Sequence, residues 1–369
     1  MIIGCPSEVK VKEHRVGIVP ASAKALIASG HQVLMQKGAG VGSGVEDAEY
    51  AAVGCQIIAT ATTVWENSQM IVKVKEPIKS EFGFLRPGQI IFTFLHLAAD
   101  IELTKALLEN DVTGIAYETI QVGSSLPLLK PSSEVAGRMS IQVGAWCLEK
   151  HQGGKGLLLG GVTGVPKADV VVLGGGVAGL NAAKIAVGMG AAVTILDVNL
   201  ARLEYLDDIF GGRIQTLYSN SHNIFECVKK ADLVIGAVLI AGAKAPKLLT
   251  RNMLSAMSRG SAIVDIAIDQ GGCVESMHAT THDDPIFMVD GIVHYGVSNM
   301  PGAVARTSTF ALTNATLPFM REIADEGAVH ACLKNPALAL GLNTFKGKVT
   351  CRAVAKAHDL PFVEFQQLM

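Results

Sequence analysis

The chain has 369 residues, of which 49% are hydrophobic, only 17% are charged and 39 are glycine. That length supports two domains with cores of their own, and that balance is the one buried parallel strands produce, which excludes a disordered chain. A formal net charge of -2 and a pI near 6.6 offer no basic surface for nucleic acid or anionic lipid, so a small-molecule partner is expected, with no nucleic acid and no membrane.

The start, MIIGCPSEVK, has no basic stretch followed by an apolar one, so no secretory signal is read there. Seven cysteines (Cys5, Cys55, Cys147, Cys227, Cys273, Cys332 and Cys351) are scattered, odd in number and without metal-ligand spacing, which points to a reducing cytoplasm and to no metal. Before residue 130 the predicted strands are QVLMQK, MIVKVK, IIFTFL and TGIAYE, with ASAKALIASG and IELTKALLEN as helices between them. The segment 132–152 has apolar residues at helical spacing and reads as a long connecting helix. From residue 170 onward VVVLGG, AAVTILD, RIQTLY, DLVIGAV, AIVDIAI and HYGVSN read as a second set of strands, and FALTNATLPFMREIADEG after Pro301 reads as a helix returning to the first domain. The expected fold is α/β, with two Rossmann-like domains of parallel sheets. A nucleotide-binding domain over 131–305 is inserted into a discontinuous substrate domain over 1–130 and 306–369.

Gly174, Gly176 and Gly179 form GxGxxG directly after an apolar strand, and Asp197 ends the next strand. The first glycine permits the tight turn, the second lets a pyrophosphate approach the backbone and the third lets helix and strand pack closely. Asp197 would accept hydrogen bonds from ribose hydroxyls and repel a 2′-phosphate, which favours NAD over NADP. Arg202, five residues on, is the one feature arguing for NADP. Lys75, His96 and Asp269 follow three other apolar runs, at the strand ends where open α/β sheets bind ligands. Each also has a bland explanation, as a solvated lysine, a satisfied histidine or a helix-capping aspartate. Beside a nucleotide site they read together as a hydride-transfer centre, to which Arg15 adds a planar fork suited to a carboxylate.

Through EHRVG, KVKEP, TFLHLA, AYETI, SEVAGR, GGGVAGLNAAK, ILDVN, AVLIAGAKAP, DQGGCVE, VSNMPGAV and RTSTFALTNATLP, the sequence resembles the L-alanine dehydrogenases, of the alanine dehydrogenase and pyridine nucleotide transhydrogenase family, over its whole length. The resemblance implies NAD-dependent, reversible oxidative deamination of L-alanine to pyruvate and ammonium by a homohexamer. It implies that Arg15 and Lys75 hold the substrate, that His96 and Asp269 handle protons, and that Asn299 and Met300 flank substrate and nicotinamide. NAD would meet Ser133, the glycine loop through Val177 and Ala178, Asp197, Arg202, Ser219, Val238, Leu239, the strand end Ile266, Ala267, Ile268 and Asp269, and the stretch Val297, Ser298, Asn299 and Met300.

The chain departs from the family's usual proline at Thr163, Ala241 and Ala305, from a frequent tyrosine at Phe94 and from a frequent methionine at Ser132, which bears on substrate preference. Two other classes stay in view. A transhydrogenase subunit would exchange hydride between nucleotides and need membrane partners, and a non-catalytic NADH sensor would bind without turnover.

Overall fold

The computed structural model describes residues 1–238 and 245–369. It divides into two compact units, Met1–Ser132 with Val304–Met369, and Ser133–Ala303.

Among its described residues the first unit holds an eight-stranded sheet. Six strands run parallel, in the spatial order Gln56–Ile58, Gln32–Gln36, Ile2–Cys5, Met70–Val72, Ile90–Thr93 and Thr113–Ala116. Numbered along the chain this is the doubly wound order 3-2-1-4-5-6. Met70–Val72, Ile90–Thr93 and Thr113–Ala116 are buried throughout, as expected of strands covered on both faces. One face packs Ile3, Val72, Phe92 and Ile115 against Leu312, Met320 and Ile323 of the returning helix Ala305–Glu326. The other packs Ile71 and Ile91 against Trp65, Leu103 and Leu107.

Among the described residues of the second unit a seven-stranded sheet repeats that order with Gln215–Tyr218, Ala192–Asp197, Asp169–Leu173, Leu233–Gly236, Ala262–Asp265 and Ile292–Tyr295. Its core joins Val171, Val234 and Ile263 to Ile224, Val228 and Leu254.

The expected parallel sheets are present, and one edge of each carries an antiparallel addition. Leu342–Phe345 and Lys348–Val349 form an antiparallel hairpin whose first strand also pairs antiparallel with Thr113–Ala116. Ile286–Val289 and Ile292–Tyr295 form another. The links are Lys346-Gly347 and Asp290-Gly291, all four with positive φ, and a two-residue turn of that type can join only antiparallel strands. The predicted strand HYGVSN likewise ends at Tyr295, after which Val297 makes a single bridge with Thr280. The predicted helix 132–152 runs over Lys130–Cys147, and its last residues form a separate short turn, Lys150–Gln152, closed by Gly153 at φ 87. Among the described residues no helix is long and apolar enough to cross a membrane.

Candidate active site

In the second unit, the strand order reverses between Asp169–Leu173 and Leu233–Gly236, and a crevice at the carboxyl ends of strands is the usual ligand site of such a sheet. Gly174 turns there at φ 99, and a Cβ on it would lie 2.8 Å from the Ala237 carbonyl oxygen and 3.2 Å from Val238 Cγ2. Gly179 sits against the Gly174 carbonyl so closely that no Cβ fits. Gly176, the N-cap of helix Val177–Gly188, has the opposite surroundings, since a Cβ on it would meet nothing within 4 Å. Two glycines therefore close the loop and the third leaves its amide edge open where a pyrophosphate would lie. These residues fit a dinucleotide.

Asp197 and Arg202 hold this loop. Asp197 Oδ2 accepts from Gly175 N–H at 2.7 Å and Oδ1 from Asn199 N–H at 2.9 Å. Arg202 donates through Nε to the Gly175 carbonyl at 2.6 Å and through Nη2 to the Gly176 carbonyl at 3.3 Å, with its guanidinium 4.8 Å over the Tyr205 ring. Ser219, just past strand Gln215–Tyr218, donates its N–H to the Asp197 carbonyl at 2.9 Å. Ser133 is half-buried on helix Lys130–Cys147. Leu239 and Ala241 lie outside the described residues.

Residues 266–269 are not a strand end, because the strand stops at Asp265 and Ile266–Gln270 is a 3-10 turn. Asp265 is the cause. Its fully buried carboxylate accepts from the N–H groups of Ala267, Cys273 and Val274 at 3.0, 2.9 and 3.1 Å, pulling the following loop back over the strand. The turn exposes Asp269, whose Oδ2 lies 3.4 Å from the N–H of Asn299. Asn299 itself is in the left-handed region at φ 58, and His282 Nε2 lies 3.4 Å from its carbonyl. Asp269 and Asn299 are thus brought together, while Val297 and Met300 on either side are buried.

In the first unit, Arg15, Lys75 and His96 follow strands Ile2–Cys5, Met70–Val72 and Ile90–Thr93, at the same carboxyl edge of the sheet. Two positions need correction. Lys75 lies three residues beyond its strand. His96 is not presented by a strand either: at φ 49 it starts a 3-10 turn, and its side chain is 45% exposed. Glu118 holds that backbone, accepting the N–H of His96 at 2.6 Å and of Leu95 at 3.2 Å. The ring stacks on Phe94 with centroids 5.8 Å apart, and Phe94 stands edge-on to Tyr117.

Lys75 is half-buried, and burial, reinforced by the positive charge of Arg15, lowers its pKa from the ordinary lysine value. Burial also works to lower the His96 pKa, but the hydrogen bond to Glu76 and the charges of Glu118 and Glu76 outweigh it and the net direction is up, against a lowering by Lys75. Arg15, Lys75 and His96 therefore share one electrostatic neighbourhood.

The Arg15 fork differs from the sequence-based expectation. It is 3% exposed, and its Nε and Nη2 already form a two-pronged pair with Glu13 at 2.7 and 2.6 Å. Beneath Lys75, fully buried Lys73 pairs with Glu81 at 2.7 Å and Glu8 at 3.4 Å, and Glu8 also accepts the backbone N–H of Val74 at 2.6 Å.

Glu8, Glu13, Glu76, Glu118 and Asp265 all escaped the sequence reading. The signal for two of them was nearby, since Glu13 lies two residues before Arg15 and Glu76 adjoins Lys75. For Glu118, 22 residues from His96, the spacing offers none.

The chain is similar to known proteins over its whole length. The family model "Alanine dehydrogenase/PNT, N-terminal domain" matches residues 4–136, and "Alanine dehydrogenase/PNT, C-terminal domain" matches 140–352. The alanine dehydrogenase of Methanococcus maripaludis is 59% identical, and that of Geobacillus stearothermophilus 54%, each over 100% of both chains. A solved L-alanine dehydrogenase superposes with a TM-score of 0.95 at 49% identity, covering 97% of this chain and 99% of that one. A transhydrogenase from Sinorhizobium meliloti gives 0.84 at 25% identity, covering 96% and 100%. With both family models matched and full-length relatives above half identity, this chain belongs to the alanine dehydrogenase/PNT family.

Proposed function

We propose that this protein catalyses the NAD-dependent, reversible oxidative deamination of L-alanine to pyruvate and ammonium. The observation that carries this reading is the cluster of Arg15, Lys75 and His96 at the carboxyl edge of one doubly wound sheet, in a chain whose other sheet carries the glycine loop and Asp197. The first unit is the substrate domain and the second the NAD-binding domain.

Arg15 and Lys75 hold the substrate carboxylate and the carbonyl oxygen that develops at Cα. The two-pronged pair with Glu13 fixes the plane in which the Arg15 guanidinium is held. When bound, NAD supplies the acceptor for the hydride leaving the alanine Cα. His96 takes up the protons released as water adds to the resulting imine and ammonia departs, and Asp269, exposed beside Asn299, orients that water or steadies the cationic iminium. Asp197 receives the ribose hydroxyls. Arg202, already committed to the Gly175 and Gly176 carbonyls, supports NAD rather than NADP. Ser133, Val177, Ala178, Ser219, Val238, Leu239, Ile266, Ala267, Ile268, Val297, Ser298 and Met300 complete the cofactor contacts, on the strength of the family resemblance.

That resemblance also supports a homohexamer, and seven free cysteines support a reducing cytoplasm. NADH formation from a panel of L-amino acids, with NADP in parallel, tests the reading. Alanine with NAD is expected to be the best pair, and a preference for NADP or for a larger amino acid would contradict the assignment of Asp197 or of the substrate pocket beside Phe94.

Arg15→Lys keeps the charge but loses the planar fork, so the KM for alanine should rise about tenfold or more while NADH affinity, read by fluorescence, stays nearly unchanged. An equal loss of NADH affinity would place Arg15 in the cofactor site or in the fold.

A further inference from the structure

We infer that Glu76 is the positioning residue of His96. Its Oε2 receives the Nδ1 hydrogen of the imidazole, so Nε2 is the nitrogen that exchanges protons with the substrate, and Lys10 holds the other carboxylate oxygen in place. This rests on His96 being the proton carrier of the reaction proposed above.

Three restraints converge on the imidazole. Glu76 Oε2 lies 3.4 Å from Nδ1, and the Glu76 side chain is only 13% exposed. Glu76 Oε1 is paired with the Lys10 ammonium, so the carboxylate cannot swing away without breaking an ion pair. The ring plane is set by Phe94, stacked at an interplanar angle of 14°, and the backbone by Glu118, which grips two consecutive N–H groups.

A neutral imidazole donates from one nitrogen and accepts at the other, so a carboxylate at Nδ1 selects the tautomer whose Nε2 lone pair is available as a base. The same carboxylate stabilises the imidazolium that forms when Nε2 takes a proton. Charges acting on this ring come from Glu76 and Lys75 on the segment after Met70–Val72 and from Glu118 after Thr113–Ala116, with Lys10 behind Glu76, while His358 bonds the Leu97 carbonyl one residue on through Nε2. Although burial opposes it, the bonds to His96 and Lys10 hold the Glu76 carboxyl down to about 2, so it is ionised throughout the working range.

Deamination needs the neutral imidazole as a base, so its rate falls as pH drops through the His96 pKa. Glu76→Gln removes the negative charge and keeps the shape, which should move this acid limb of kcat to lower pH by about half a unit, the shift being moderated by the ring's exposure. Lys10→Met leaves Glu76 charged and removes the cation behind it, so the limb should move the other way, to higher pH. Glu76→Ala also releases the tautomer and should lower the plateau kcat about tenfold with the KM for alanine changed less than about twofold. Melting curves that match the parent protein establish that each variant is folded, and the isosteric Glu76→Gln carries the test if Glu76→Ala fails to fold. An acid limb unmoved in Glu76→Gln and Lys10→Met, with kcat unchanged, overturns the positioning role. His96→Ala separates the two readings: if it is inactive in that case, the proton-carrier assignment stands without Glu76, whereas near-normal activity of His96→Ala removes both.

Discussion

Replacing His96 with alanine is expected to abolish alanine-dependent NADH formation while the protein stays folded and binds NADH as before. A positioned general base contributes about 10²–10⁴-fold to such a step, so kcat should fall by at least about 100-fold. Little stability should go with it. The side chain is 45% exposed, so its removal buries no new void, and the grip of Glu118 on the His96 and Leu95 N–H groups is made to backbone that survives the substitution. The groups that clamp the glycine loop, Asp197 and Arg202, belong to the other unit. A packing role for His96 has a different signature: a lowered melting temperature, and activity reduced only in proportion to the folded fraction. Near-normal turnover per folded molecule would remove His96 from the mechanism and make Asp269 the leading proton carrier.

Glu81→Ala is expected to cost about 3–5 kcal/mol of stability, the range for breaking a buried ion pair by removing one partner. Lys73 has no exposed side-chain surface and takes its shortest ion pair, 2.7 Å, from Glu81, with Glu8 farther off at 3.4 Å. Burial alone would lower the lysine pKa, yet the two carboxylates outweigh it and raise it, so the ammonium stays charged inside the sheet edge. Glu81 also closes the first turn of Lys79–Phe84 by accepting the Ile78 N–H at 3.0 Å. Denaturant melts of Glu81→Ala and the isosteric Glu81→Gln should rank the alanine variant as much the weaker. A loss below about 1 kcal/mol, the range of an exposed pair, would mean that water reaches Lys73 and that the triad does not fix the strand end carrying Lys75.

The two doubly wound sheets were legible because nearly every central strand is a short run of β-branched and aliphatic residues bounded by helical periodicity, as in DVVVL and IIFT. The antiparallel edges were missed although Asp290-Gly291 is a strong hairpin signal, because the apolar run on its near side, Ile286–Val289, is only half-buried and weakly patterned. Gly174, Gly176, Gly179 and Asp197 could be placed from spacing alone, since their roles are local to one βα unit. The acids that organise the first site could not. Glu118 reaches His96 across 22 residues and Glu76 across 20. Such pairs exist only once the sheet sets neighbouring strand ends side by side. Asp265 shows the same limit in miniature, where a carboxylate inside an apolar strand looks like an interruption until the returning loop supplies its donors.

The central claim is the reaction itself, and the direct test is one incubation of the purified chain with NAD and alanine deuterated at Cα, followed by quantitation of pyruvate, ammonium and reduced nucleotide. The expected result is equal amounts of all three products, with the deuterium recovered in NADH and a slower reaction than with ordinary alanine. Bound nucleotide without pyruvate, or hydride passing from one nucleotide to another with alanine untouched, would contradict it.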